Sequence, residues 1–241
     1  MIHRFESLGS TNDQLVRMAE EGAPEYTAVL AERQTRGKGR ADRGWWSPPG
    51  NLYLSVLLRP GINARRLPRV SILASLALFR AIDDRTGTVS LKWPNDLLLD
   101  GRKLAGILPA GRIEGDKVAW VVTGFGVNVV KPEQGVPGEL EDRVAFLDEI
   151  VETSLDDLVH RIIGEFKGLA GSFEGPAWQR AREEWSRSAV FGPHYTLRDG
   201  KRRIVGTPVG LAHDGGLVME TEQGTVTVYA GELEESAECR V

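Results

Sequence analysis

Gln34-Thr35-Arg36-Gly37-Lys38-Gly39-Arg40-Ala41-Asp42-Arg43-Gly44-Trp45-Trp46 alternates cations with glycines and closes on two tryptophans. From Arg33 to Arg43 five side chains are positive and one, Asp42, is negative, in a chain of net charge −4. Glycine lets a backbone wrap closely around a ligand, and the cations give that wrap a preference for anions. Two readings fit the stretch by itself: a solvated, charged surface loop, or a loop that grips a phosphorylated small molecule. On either side the sequence turns apolar. Residues 27–32 read as a strand leading into the loop, and residues 51–58 (Asn-Leu-Tyr-Leu-Ser-Val-Leu-Leu) as a second strand closed by Arg59-Pro60.

Further outward, Ser10 and Thr11 precede Leu15, Met18, Ala19 and then Gly22, a capped short helix ending at a glycine. Val70, Leu73, Ala74, Ala77, Leu78, Ala81 and Ile82 recur at helical spacing, stopped by Gly87. Short strands are expected over 89–92, 97–100, 104–108 and 118–123, with the pair Asp100-Gly101 as a hairpin turn. Residues 131–143 form a loop containing proline and glycine. Ser154 with Asp157 makes a capping box ahead of the apolar helix face Leu155, Leu158, Ile162, Phe166 and Leu169, and a further helix spans about 176–187. After Phe191-Gly192-Pro193 the character changes to four or five short strands split by Asp199-Gly200, Asp214-Gly215-Gly216 and Gln223-Gly224. That is the pattern of a small β-barrel or sandwich, with a domain boundary near Ser188.

Bulk composition narrows the function. With 41% hydrophobic and 27% charged residues the chain is an ordinary globular one. It lacks a signal pattern and an apolar run long enough for a bilayer, so a cytoplasmic protein with no membrane partner is expected. The single cysteine, Cys239, excludes an internal disulfide framework. Mild acidity argues against a nucleic-acid partner, which needs a broad basic face. His3, His160, His194 and His213 are scattered without metal-ligand spacing, and no Gly-x-Ser-x-Gly elbow, Walker loop or dinucleotide fingerprint is present.

Four more stretches accompany the basic loop: Ser10-Thr11-Asn12, Leu91-Lys92-Trp93-Pro94-Asn95-Asp96, Gly101-Arg102-Lys103-Leu104-Ala105-Gly106-Ile107-Leu108, and Gly124-Phe125-Gly126-Val127-Asn128. In order and approximate spacing the set resembles the biotin–protein ligase family, closely over about residues 2–173 and more weakly beyond. The resemblance implies an α+β fold. A mixed central β-sheet flanked by helices, of the kind shared with class II aminoacyl-tRNA synthetases, would occupy 1–188, and a small SH3-like β-barrel 189–241. It implies that biotin and ATP give biotinyl-5′-AMP, whose acyl group passes to a lysine of a biotin carboxyl carrier domain. Some relatives carry an N-terminal helix-turn-helix; the first motif here begins at Ser10, so the monofunctional form is expected, as a monomer or weak homodimer. A lipoate or octanoate ligase shares the fold, but its Arg-Arg-x-Ser-Gly-Gly-Gly segment is absent. A non-catalytic biotin or nucleotide sensor is the other alternative, opposed by the joint presence of Lys103, Arg40 and Asp96.

Acyl-adenylate chemistry needs cations more than bases. The acid is already ionised at neutral pH, and it must approach a triphosphate bearing about four negative charges, so positioning and electrostatic stabilisation dominate. Arg36, Lys38, Arg40, Arg43, Lys92 and Lys103 are the available cations. Lys103, at the start of a short strand, is either an edge-strand guard against aggregation or the ammonium that bridges carboxylate and α-phosphate; the resemblance gives it the second role. Asn95 and Asp96 follow a proline and suit a turn. Asp96 would alternatively bind Mg²⁺ or take the proton of the incoming lysine, whose pKa of about 10.4 demands a base or water chain.

By resemblance Ser10, Thr11, Asn12 and Gln34 contact biotin, with Lys38, Gly39, Arg40, Lys103 and Gly106 beside it. Ser10 also reads as a helix N-cap, and the two roles are compatible. The nucleotide would meet Arg36, Gly37, Lys38, Arg40, Arg43, Trp45 (a wall for the adenylate), Lys92, Asn95 and Asn128. The loop departs from the family pattern at Lys38, a frequent arginine, whose ammonium cannot make a two-pronged phosphate contact. It departs again at Ala41-Asp42, where a basic residue and glycine are common.

Overall fold

The computed structural model describes residues 1–82, 86–191, 195–199 and 202–235. In chain order it contains β1 (Ile2–Leu8), α1 (Thr11–Glu20), β2 (Ala28–Gln34), β3 (Leu52–Leu58), α2 (Pro68–Ile82), β4 (Val89–Lys92), β5 (Asp96–Leu99), β6 (Arg102–Glu114) and β7 (Lys117–Val127). There follow α3 (Leu155–Leu169), α4 (Gly175–Ser188), β8 (Tyr195–Asp199), β9 (Arg202–Leu211), β10 (Leu217–Thr221), β11 (Gly224–Val228) and β12 (Glu232–Glu235). The first seven strands form one mixed sheet in the order β1-β2-β3-β7-β6-β5-β4. Only β1 and β2 run parallel; the other neighbours are antiparallel.

Every residue of β3 is buried, because both faces of the sheet are covered at its centre. Leu52, Leu54, Val56 and Leu58 point toward α2 and α3, into a core that also takes Val121, Phe125 and Val127 of β7. Leu57, with Val29, Trp120 and Val122, lies beneath Leu15 and Ala19 of α1. Tyr53 and Ser55 share the face of Leu57 by the two-residue period of a strand. α2 is an interior helix: 11 of its 15 residues are buried, and Pro68 starts it where a missing N–H is harmless. α1 is short and covers only part of its face. The uncovered part, over β3, β7 and β6, is where the site lies.

Several local signals act as the sequence predicts. The Ser10 side chain caps α1, and Gly22 leaves that helix with φ +90°. Asp100 and Gly101 both have positive φ, 47° and 77°, the pattern of a tight hairpin turn. At α3 the Ser154 hydroxyl accepts from the Asp157 N–H at 3.1 Å, while the Asp157 carboxylate accepts from that hydroxyl at 2.7 Å. Three differences stand out. β1 is a strand that Ile-His-Arg-Phe-Glu-Ser-Leu does not announce, because its polar and apolar residues do not alternate by two. β6 and β7 continue to Glu114 and from Lys117 as a long hairpin turning at Gly115 (φ +64°). Asp96 opens β5 rather than sitting in the turn with Asn95.

The C-terminal strands form a five-stranded antiparallel sheet, β11-β10-β9-β8-β12. The expected small β domain is present, but its expected closure into a barrel is not found: among the described residues β11 and β12 pair with one neighbour each. Gly192-Pro193, His194, Gly200 and Cys239 lie outside the described residues. No helix among those described is long and apolar enough to cross a membrane.

The second sheet shares the main core, contributing Tyr195, Leu197, Leu211, Leu217, Met219 and Leu233. Arg69 of α2 pins it there. This buried guanidinium (5% exposed) donates to the carbonyls of Phe173 and, at 3.0 Å, His213, and lies 4.8 Å from the Trp178 ring centroid. Burial lowers its pKa from the usual arginine value. Arg69→Ala would leave the buried Phe173 carbonyl short of a donor and strip the guanidinium from the Trp178 ring, while His213 keeps the Trp178 indole N–H; it should destabilise the fold by about 2–3 kcal/mol. Denaturant unfolding checks this; an unchanged midpoint would show that the pin carries no load.

Candidate active site

One cavity of about 670 Å³ gathers the stretches that stood apart in the sequence. Its polar end is built by the start of α1. The Thr11 N–H and hydroxyl both donate to Gln34 Oε1, at 2.8 and 3.2 Å, and Gln34 Nε2 donates to Ser47 Oγ at 3.2 Å. Asn12 Nδ2 donates to the Leu108 carbonyl at 2.9 Å. Beneath them Ser55 Oγ sits 2.6 Å from Asn12 Oδ1 and 2.8 Å from Thr11 Oγ1, fully buried. Gly124 leaves room for Asn12, whose carboxamide a Cβ there would strike. These groups pre-orient donors and acceptors suited to a neutral polar ligand at the N-terminal end of α1.

The charged end centres on Lys103, second residue of β6. Its ammonium pairs with Asp96 Oδ2 at 2.8 Å and stands 5.4 Å from the Trp45 ring centroid. The other Asp96 oxygen, Oδ1, is buried without a partner. The Lys103 backbone is fixed on both sides: its N–H donates to the Arg143 carbonyl at 2.8 Å, and its carbonyl accepts from Ala145 N–H at 3.0 Å and Asn128 Nδ2 at 3.1 Å. The 143–149 segment is braced by Arg102, which donates to Glu149 Oε2 at 2.6 Å. That hydrogen bond, ahead of the opposing desolvation, holds the Glu149 carboxyl below its ordinary pKa.

The basic loop folds back on itself. Gly39 N–H donates to the Arg43 carbonyl at 2.7 Å and Trp45 N–H to the Gly37 carbonyl at 2.9 Å. Gly37 is required by crowding, since a Cβ there would meet the Trp45 carbonyl and Ser47 Oγ. At the tip Ala41 and Asp42 are left-handed, φ 52° and 58°, a conformation aspartate tolerates and alanine resists. Lys38 Nζ pairs with Asp13 Oδ1 at 2.7 Å. Arg40 reaches furthest: Nη1 donates to Asn95 Oδ1 and Nη2 to the Gly231 carbonyl, both at 3.1 Å. It thereby ties the loop to the β4–β5 turn and to the second sheet.

Ser10, Thr11, Asn12, Gln34, Lys38, Gly39, Arg40, Arg43, Trp45, Lys92, Asn95, Asp96, Lys103, Gly106 and Asn128 all line this cavity; Arg36 and Gly37 do not. Arg36 is exposed, with its N–H on the Gly9 carbonyl at 2.8 Å. Sequence reasoning missed Ser55, Tyr53, Arg143, Asp142 and Leu233. A lone serine inside the apolar run 52–58 was a usable signal for Ser55. Tyr53 donates to the Pro48 carbonyl at 2.6 Å, and burial pushes its hydroxyl pKa well up. Arg143 and Asp142 sit on a connection, and Leu233 on β12 of the second sheet, whose places beside the site only the fold defines. Among the described residues no group of three or more histidine, cysteine or acidic side chains could hold a metal.

Comparison with known proteins agrees with this geometry. Residues 5–128 match the family model of the biotin/lipoate A/B protein ligase family. The chain is 31% identical to the bifunctional ligase/repressor BirA of Bacillus subtilis over 232 residues, covering 94% of this chain and 71% of that protein. It is 30% identical to a biotin–[acetyl-CoA-carboxylase] ligase of Paracoccus denitrificans, covering 93% of this chain and 96% of the relative. Among solved structures, the biotin protein ligase from Aquifex aeolicus in complex with biotin and ATP superposes with a TM-score of 0.81 at 27% identity, over 98% of this chain and 99% of that one. The chain belongs to the biotin/lipoate A/B protein ligase family, and within it to the biotin–protein ligases.

Proposed function

We propose that the protein activates biotin with ATP to biotinyl-5′-AMP and transfers the biotinyl group to a lysine of a biotin carboxyl carrier domain. The observation that carries this reading is the placement of Lys103, on a braced strand between Asp96 and Trp45, in the same cavity as Ser10, Thr11, Asn12 and Arg40. The hydrogen-bonding end suits a neutral ring with both donors and acceptors, and the cationic end suits the carboxylate and phosphates. In the first step a carboxylate oxygen attacks the α-phosphorus and pyrophosphate leaves. Lys103 and Arg40 hold the converging anions; no proton moves. In the second step the acceptor amine attacks the acyl carbon and AMP leaves, so the amine must surrender a proton. Asp96 is the carboxylate at hand, with one oxygen already on Lys103 and one without a partner.

Mg²⁺ fits this donor set only as a partner shared with phosphates. It binds through one or two carboxylates plus phosphate oxygens, and the unpartnered Asp96 Oδ1 offers one such ligand. When bound it would neutralise charge on the triphosphate. The second sheet supplies Gly231 and Leu233 to the site, which supports assigning 189–241 a part in nucleotide use and 1–188 the biotin end.

Pyrophosphate release with biotin and ATP, with lipoate and octanoate in parallel, tests the activity. Turnover with biotin alone is expected; turnover with lipoate or octanoate but not biotin would overturn the reading. Lys103→Ala should remain folded and lose on the order of 10²–10³ in adenylation rate, the effect of removing one preorganised charge. Near-normal pyrophosphate release would assign that work to another cation.

Arg40→Gly cuts both ties at 3.1 Å, to Asn95 and to Gly231. With the loop released, water and bulk solvent reach the mixed anhydride. The variant should keep part of its adenylation rate but release biotinyl-5′-AMP faster, seen as biotin on a bystander such as serum albumin. Release no faster than wild type would mean that the loop recruits ATP without closing over it.

A further inference from the structure

Gly106 of β6 and Gly126 of β7 face each other as a cross-strand pair, and the indole of Trp45 lies over both. A Cβ on Gly126 would stand 2.7 Å from Trp45 Cε2 and 2.8 Å from Nε1; one on Gly106 would stand 3.0 Å from Cζ3. The first distance is closer than side chains come, and the second is reached only if the neighbour yields. Neither glycine has a positive φ, so backbone freedom does not explain them. What they supply is missing volume. The indole N–H is buried without a partner. The Trp45 indole is therefore positioned by shape and by the Lys103 ammonium 5.4 Å from its ring, not by a hydrogen bond of its own.

We propose that Gly106 and Gly126 are positioning residues whose function is to seat Trp45: together they set the depth of the indole and hence the width left for the acid between it and the polar end. The proposal deepens the biotin-ligase reading and rests on it. A methyl group on either strand would lift the ring into the cavity, toward the space the acid needs, while the Gly106 Cβ would only touch Lys103 Cε at 3.5 Å. The rival explanation is that the glycines admit the ligand itself to the backbone. The two differ in one respect: if the glycines act through Trp45, removing the ring removes the need for them.

A double-mutant cycle on biotin binding, measured by calorimetry without ATP, separates the cases. Gly126→Ala is expected to weaken binding about 10- to 100-fold, the range of an overpacked contact, with unchanged circular dichroism. In a Trp45→Ala background, where no ring lies over that Cβ, the same methyl should cost less than about twofold. Equal losses with tryptophan and with alanine at 45 would place the ligand, not the indole, over the glycine and overturn the proposal. No loss in either background would overturn it as well. Gly106→Ala, whose contact is looser at 3.0 Å, runs the same cycle if Gly126→Ala does not fold. Wild-type protein that binds no biotin would instead reject the functional reading, before any variant is compared.

Discussion

β6 and β7 pair antiparallel from Ala105↔Val127 to Glu114↔Lys117, and the site depends on that register. It sets Gly106 opposite Gly126 beneath Trp45 and brings Asn128, just past the end of β7, onto the Lys103 carbonyl. A one-residue slip would turn every side chain to the opposite face, sending Phe125 and Val127 out of the core and leaving Gly124 and Gly126 no longer beneath Asn12 and Trp45. The apolar set Ala105, Ile107, Val121, Phe125 and Val127, packed under α2 and α3, is what forbids the slip. The core thus specifies the site indirectly, by fixing which strand positions face the cavity.

Much of this was legible in the chain. α2 announces itself through its apolar spacing, α1 through Ser10 and Gly22, and the β5–β6 hairpin through Asp100-Gly101, because each signal is local and its cause is local. β1 escaped notice because an edge strand with one neighbour needs no alternation. The outer halves of β6 and β7 escaped because Pro109, Gly111 and the exposed residues near Gly115 look like loop until they are paired. The C-terminal strands were legible as strands but not as an open sheet, since closure depends on edges distant in sequence.

The residues carried by motifs converge on one cavity, and residues carried by topology join them there unannounced. Lys103, Asp96, Arg40 and Thr11 stand in recognisable strings. Arg143 and Leu233 reach the cavity only because 143–145 pairs with the Lys103 backbone and because the second sheet packs on the main core. Arg36 shows the opposite case: it sits in the motif string, but its backbone N–H is bound to the Gly9 carbonyl and it stands outside the cavity lining.

Lys38, Arg40, Arg43, Lys92, Lys103 and Arg143 line the cavity against two acids, Asp96 and Asp142, in a chain of net charge −4. A concave surface of one sign focuses potential at its mouth, so a polyanion is drawn to this cleft by a protein that repels it elsewhere. Lys38 pairs with Asp13, Lys103 with Asp96, and Arg40 with Asn95 and Gly231. Binding an anion here is therefore an exchange of partners rather than the filling of naked charge. The exchange has a consequence for Asp96. An anion that takes Lys103 away leaves the Asp96 carboxylate without its counter-charge, in a position where its other oxygen already has no partner. The ion pair and the anion therefore compete for one ammonium, and Asp96 sets how readily Lys103 is released to a ligand.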